Sequence, residues 1–237
     1  ADKGGVAMAM FLFAAVQSLQ EGVALATART ARDTTLVVYQ ENRFCPASSR
    51  LPEVYRSRIE KMPGVVSVLP MKVVPTNCRT SLDVITFRGV PALEWADQRR
   101  DSVQIVDGSI EQWTARMDAA LIAEAVARRR GLKVGDQFDA AGIRVYVAGI
   151  LHSDQPQERY VAYTHLDFLQ RTTGQQTLGV VTQFNVKVND PASLDQVAER
   201  IDREFAPDQQ PTRTSSEKGF VARAAADIVH VVRFMEY

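Results

Sequence analysis

Apolar residues crowd the two ends of this chain, and the long stretch between them mixes apolar and polar positions in short periodic blocks. Val6 to Val16 (VAMAMFLFAAV) is an uninterrupted apolar run. A membrane-spanning helix needs about 20 mostly apolar residues. Counting from Gly4 to Leu25 reaches that length, with Gln17, Ser18, Gln20 and Glu21 where the helix would leave the lipid. Three readings compete: a membrane anchor, a buried core helix, and a signal peptide cleaved near Ala24-Leu25-Ala26 or Ala26-Thr27-Ala28. The start on Ala1 and the single early cation Lys3 argue against cleavage. At the other end, Phe220 to Tyr237 has helical spacing and grows more apolar toward its end. The two ends together suggest a domain looped out between two membrane helices.

The body between them divides into three pieces. In the first, Thr35 to Tyr39 is β-rich and reads as a strand. A helix is expected next, with Pro52 near its first position and Leu51, Val54, Tyr55, Ile59 and Met62 on one stripe. Pro63-Gly64 stops it, and Val65 to Val74 forms a second strand in which Pro70 marks an edge or a bulge. A β-α-β unit of this kind normally places its strands parallel in one sheet. The last piece repeats the pattern. Phe184, Val186 and Val188 alternate with Asn185 and Lys187, and Asp190-Pro191 gives a cap and a first-turn proline. Leu194, Val197, Ala198, Ile201 and Phe205 follow at helical spacing, Pro207 lies beyond them, and a short strand is expected over 210–214.

The middle piece, 81–177, is then an insertion between the two units. Its expected strands are 84–87, 120–122, 137–140 and 143–151, with a turn at Ala141-Gly142. Thr164 is a candidate cap for a short helix carrying Leu166, Phe168 and Leu169. The fold class that follows is α+β: a split β-α-β/β-α-β sandwich with an inserted β-rich subdomain, flanked by N- and C-terminal membrane-proximal helices.

Composition narrows the function. The 237 residues suffice for one large or two smaller cores, and 28 basic residues balance 28 acidic ones. No global field therefore attracts nucleic acid or an anionic membrane. The one basic cluster, Arg128-Arg129-Arg130, falls in the last turn of a short helix ended by Gly131, where cations suit the helix dipole. His152, His165 and His230 are scattered without metal-ligand spacing, and no catalytic or metal-binding residue is assigned. His230 sits between Val229 and Val231 and reads as a packing residue. Asp195, Glu199 and Asp202 read as the solvated side of their helix. The motifs G-x-S-x-G, G-x-x-x-x-G-K-[ST] and G-x-G-x-x-G do not occur, which speaks against an enzyme and implies no cofactor.

The segment Ala120 to Phe138 (ALIAEAVARRRGLKVGDQF) is similar to a signature of the MacB/FtsX-type ABC-transporter permeases. Phe87-Arg88-Gly89-Val90-Pro91 and Pro63-Gly64-Val65-Val66-Ser67-Val68 fit the same pattern in the same order, and the resemblance covers nearly the whole chain. It implies an extracytoplasmic domain between the first and second membrane helices, on the periplasmic side of a bacterial inner membrane. The division it suggests is 1–32 as the end of the first membrane helix and a stalk, 33–80 and 178–214 as the two halves of the split subdomain, 81–177 as the insert, and 215–237 as the helix into the second span. The implied partners are a cytoplasmic ABC ATPase subunit that hydrolyses the ATP, a second permease copy, and a periplasmic adaptor or cargo protein. The helix from about Ser216, with Val221, Ala224, Ile228, Val231 and Met235 on one stripe, is the candidate lever between membrane and domain; ordinary core packing explains that stripe as well. Cys45 and Cys78 each follow an expected strand. If those strands are parallel neighbours, both cysteines leave the same end of the sheet. A disulfide there would close a loop of about 34 residues and contribute roughly 3–4 kcal/mol in the chain-entropy model, in an oxidising compartment. Two unpaired thiols remain the other reading. A membrane-anchored ligand-binding sensor is the alternative function.

Overall fold

The computed structural model describes residues 34–43, 46–76, 84–99 and 103–217, together with Met10, Gly219 and Phe220. In chain order the elements are β1 (Thr35–Gln40), β2 (Leu51–Pro52), α1 (Tyr55–Ile59), β3 (Val65–Thr76), β4 (Ile85–Val90), α2 (Ala92–Arg99), β5 (Gln104–Gly108), α3 (Ile110–Thr114) and β6 (Ala119–Ala123). They continue with α4 (Glu124–Arg130), β7 (Gln137–Ala140), β8 (Ile143–His152), β9 (Val161–His165), α5 (Leu166–Thr172), β10 (Val180–Val181), β11 (Gln183–Val188), α6 (Leu194–Phe205) and β12 (Thr212–Ser216). Among the described residues one mixed sheet runs β12-β1-β11-β3-β4-β9-β6-β8-β5, with β7 paired to β8, and β2 and β10 make a separate ribbon.

The first half of this sheet is built by the two β-α-β units. β1 and β3 both pair antiparallel with β11, so they run parallel to each other as expected. They are not neighbours, however. β11 lies between them, because its alternating Phe184, Val186 and Val188 match the apolar side of both strands and complete the same buried face. The result is the split β-α-β arrangement. α1 and α6 cover that face, packing Tyr55, Ile59, Leu194, Val197, Ile201 and Phe205 on Leu36, Val38, Val68 and Phe184. The Tyr55 and Phe205 rings stack at 4.2 Å. Asp190 accepts from the Ala192 N–H at 2.9 Å and starts the turn that leads into α6.

The expected first helix is corrected at its start. Leu51 and Pro52 pair with β10 as a strand, α1 begins only at Tyr55, and Val54 is 74% exposed. Leu51, Tyr55 and Ile59 face the core and Met62 packs against it, whereas Val54 of the expected stripe points to solvent. Gly64, at φ +91°, ends the connection into β3, and a Cβ there would lie 3.2 Å from Val197 Cγ2.

β3 joins the two halves of the molecule. Val65–Met71 pair with β11 and Lys72–Thr76 with β4. The Met71 carbonyl accepts from Thr182 N–H at 3.0 Å, so alternation turns the imide nitrogen of Pro70 away from β11, in the stretch that β4 does not reach. Beyond β3, β4 and β9 are parallel, β9 and β6 antiparallel, and β6 and β8 parallel. α4 ends at Gly131 (φ +65°), and Gly135 N–H donates to the Val147 carbonyl at 2.9 Å as the chain turns toward β7. The β7–β8 hairpin turns at Ala141 (φ +54°) and Gly142 (φ +80°), the signs of a type I′ turn. A second core gathers Phe87, Trp95, Trp113, Leu121, Ile122 and Tyr163.

Thr164 does not cap a helix: it is a fully buried residue of β9, and α5 begins at Leu166 without a side-chain cap. β5, β9, α2 and α3 lie outside the expected elements. β5 (QIVDG) is mostly exposed and offers no apolar period, and β9 (VAYTH) is buried along almost its whole length and offers no alternation.

Replacing Phe205 with Ala removes the ring that closes the first core over Tyr55. We expect a loss of about 3–5 kcal/mol, measured by urea denaturation, with little change in the denaturant slope.

Candidate functional site

The chain enters and leaves the described fold at one place. β1 and β12 pair antiparallel with Leu36 opposite Ser216 and Val37 opposite Ser215. The first residues of one strand and the last of the other are thus adjacent, about 4.8 Å apart across the sheet. The Thr34 carbonyl accepts from Val188 N–H at 2.8 Å, tying the entry point to β11. After β12, Ser216 Oγ accepts from Gly219 N–H at 3.1 Å, the bond that an N-cap serine makes to the third residue of a helix. The Phe220 ring then meets Tyr39 edge-on at 5.4 Å.

From this end β3 runs through the molecule. Val65 pairs with Val188, which bonds Thr34, so the strand begins at the level of the chain ends. Twelve residues of strand cover roughly 40 Å. Its alternation serves both cores: Val68 belongs to the first, Leu69 and Met71 to the second.

Cross-strand partners share a face, so Thr35, Lys187, Asn185 and Leu69 lie on the side of the sheet opposite α1 and α6. Arg88 and Tyr163 continue that side beyond β3. There α2 lies over the sheet, with Trp95 at 4.5 Å from the Tyr163 ring and 5.3 Å from Trp113. A crevice of about 230 Å³ separates the two regions, lined by Thr35, Lys187, Arg88, Arg99, Glu158 and Glu217 among others. Its floor is a charged clasp. Glu158, only 2% exposed, accepts from Arg99 Nη2 at 2.5 Å and from the Tyr163 hydroxyl at 2.9 Å, with Arg88 Nη1 at 3.9 Å. Burial pushes the Tyr163 phenol above its ordinary value; Glu158 adds to the shift, and the charges of Arg88 and Arg99 oppose it. The clasp fastens α2, β4, β9 and the loop before β9 to one another.

The family model of the MacB-like periplasmic core domain matches residues 4–204. The chain belongs to that family. Two solved structures share the fold of this MacB-like domain. The extracellular domain of the noncanonic ABC-type transporter YknZ from Gram-positive bacteria aligns with TM-score 0.55 and 15% identity, covering 77% of this chain and 100% of that one. The periplasmic region of MacB from Actinobacillus actinomycetemcomitans aligns with TM-score 0.55 and 10% identity, covering 81% and 92%. No curated protein sequence matches. The chain is thus a MacB-like periplasmic core domain over residues 4–204, with the fold of the two transporter domains. No helix among the described residues is long and apolar enough to cross a membrane.

The residues singled out from the sequence meet different fates in this MacB-like domain. Cys45, Cys78, His230 and the stripe Val221, Ala224, Ile228, Val231 and Met235 lie outside the described residues. The premise that the strands before the two cysteines are neighbours is corrected by β11, which separates β1 from β3. His165 donates from Nε2 to the Trp113 carbonyl at 2.9 Å. His152 stands between carboxylates, Nδ1 at 3.0 Å from Glu124 and Nε2 at 3.4 Å from Asp154. Among the described residues no three His, Cys, Asp or Glu side chains converge as a metal site. Glu158 was not singled out. It lies in a polar loop, and the one available signal was Arg88, a cation inside an otherwise apolar strand.

The hydrogen bond to Glu124, with Asp154 in support, raises the His152 pKa above the ordinary 6.5. The same bond, with Arg128 beside it, lowers that of Glu124. The pair therefore stabilises the fold fully only between the ordinary carboxylate and imidazole values, 4.5 and 6.5. Its contribution fades as pH rises through the raised histidine value, or falls through the lowered carboxylate value. An NMR titration should find His152 above 6.5 and return it toward that value in Glu124→Gln.

Glu158→Ala leaves the part-buried guanidinium groups of Arg88 and Arg99 without this carboxylate. It should cost less than the roughly 3–5 kcal/mol of a fully buried pair, about 2 kcal/mol. Glu158→Met combined with Arg99→Met should cost clearly less than the two single changes summed. Chemical denaturation of the four variants checks both statements.

Proposed function

We propose that this domain is looped out between the first and second membrane helices of an inner-membrane permease subunit, and that it carries motion driven by a cytoplasmic ATPase into the periplasm. The observation that carries the reading is the pairing of Leu36 with Ser216. A domain held by two membrane helices must receive and return the chain at one place, and here entry and exit are neighbours on one sheet edge. β3 supports the second part of the proposal. It starts at that end and reaches into the far core without a hinge, so a displacement of the ends is delivered to the whole sheet.

The domain works beside a second permease copy, and a periplasmic adaptor or cargo protein receives the motion. Residues 33–80 with 178–214 form the membrane-proximal half and 81–177 the distal half; the two clusters of buried residues, which meet at β3, support this division. The helix announced by the Ser216 cap is the lever, with Val221, Ala224, Ile228, Val231 and Met235 as its packing stripe. A disulfide between Cys45 and Cys78 belongs to the same reading, since the periplasm is oxidising.

The test uses the complete permease with its ATPase in proteoliposomes, spin-labelled at the exposed Val106 of each copy. The label-to-label distance distribution should shift on ATP binding. It should stop shifting in Ile228→Asp and Val231→Asp while ATP hydrolysis persists. An unresponsive wild type, or variants that shift as the wild type does, would sink the proposal.

A further inference from the structure

At the carboxyl ends of the parallel strands β4 and β9 a groove of about 620 Å³ opens between α1 on one side and the starts of α2 and α5 on the other. Two large apolar side chains in its wall stand in water: Leu93, 75% exposed, and Met117, 52% exposed. They come from separate elements, one from the first turn of α2 and one from the segment after α3, and they face the same opening. An exposed methionine beside a leucine is a surface that adapts to apolar partners.

Charge decides what kind of partner fits. The lining carries the carboxylates of Glu53, Glu94 and Asp167 against the single guanidinium of Arg56. Arg56 is already committed, with Nη2 at 2.7 Å from Glu94 and Nε at 2.6 Å from Glu60. The rim therefore presents net negative charge around an apolar floor. Such a rim repels an anionic lipid surface and attracts Lys or Arg. The groove also has one wall from each half of the molecule, since Arg56 belongs to α1, which packs in the first core, and Leu93 to α2, which packs in the second.

We propose that this groove docks a segment of a partner protein that carries an apolar side chain flanked by basic residues. Leu93 and Met117 take the apolar side chain, and Glu53 and Asp167 pair with the cations, Glu94 being held by Arg56. An occupant would contact both halves at once. The proposal rests on the transporter reading for its partner, which must be met on the periplasmic side.

The test places a benzoylphenylalanine photocrosslinker at Leu93 in the full-length permease in its own cells, and identifies the adduct by mass spectrometry. The expected adduct lies on a protein segment with an apolar residue next to Lys or Arg, and it is lost in Asp167→Lys and Glu53→Lys. No adduct, an adduct on lipid, on a second copy of this chain or on an acidic segment, or one indifferent to both charge reversals, would overturn it. The Val106 distance measurement separates the two proposals. A nucleotide-dependent shift without the adduct removes the docking site alone, and the adduct without the shift removes the coupling role alone.

Discussion

Main-chain pairing along β3 is the constraint on which the other parts depend. Val65–Met71 are bonded to β11 and Lys72–Thr76 to β4, so one continuous backbone belongs to two substructures. Side-chain alternation does the rest. Val68 turns toward α1 and α6, while Leu69 and Met71 turn to the opposite face and join the core around Trp95. Neither core closes without this strand. A flexible linker between two independent lobes would let each move alone; a shared, hydrogen-bonded strand makes the sheet one body.

The charged clasp solves a problem that the shared strand creates. Where the two halves meet, the face of the sheet opposite α1 and α6 changes from polar positions at Thr35 and Lys187 to an apolar cover at Trp95. Glu158 sits at that transition and binds Arg99 from α2 and the Tyr163 hydroxyl from β9. A buried ion pair of this kind contributes little net stability compared with well-packed apolar residues, because desolvation offsets most of the attraction. It does demand a defined geometry. Apolar contacts between α2 and the sheet would tolerate sliding; guanidinium and carboxylate bonds hold α2 at one position relative to β9.

Legibility in the sequence followed the locality of the signal. The apolar stripe of α6 was readable, since Leu194, Val197, Ile201 and Phe205 recur at helical spacing after Asp190-Pro191. Asp202, however, expected on the solvated side, accepts from Thr212 and Thr214 of β12. Gly131 and the Ala141-Gly142 turn were readable because their conformations are demanded by the backbone within a few residues. The start of α1 was misplaced because Pro52 suits a first helical turn and an edge strand equally well, and the pairing with β10 that decides the matter comes from far along the chain. Thr164 looked like a cap because a helix follows within two residues, yet its neighbours on β4 and β6 hold it in a buried strand. The clasp left almost no trace, since Arg88, Arg99 and Glu158 are separated by long stretches and converge only when β4 and β9 pair.

What the sequence by itself determined are the properties that short-range chemistry sets: the two β-α-β periods, the glycine that ends α4, the Ala141-Gly142 turn, and the family signature from Ala120 to Phe138. Each rests on a few consecutive side chains and their own backbone. The tertiary structure alone decided that β11 lies between β1 and β3, that Leu36 and Ser216 are neighbours, and that Leu93 and Met117 share a groove. Those are choices among pairings of distant segments with similar local patterns. They are made by the total apolar area that each arrangement buries and the backbone bonds it satisfies, which no single segment encodes.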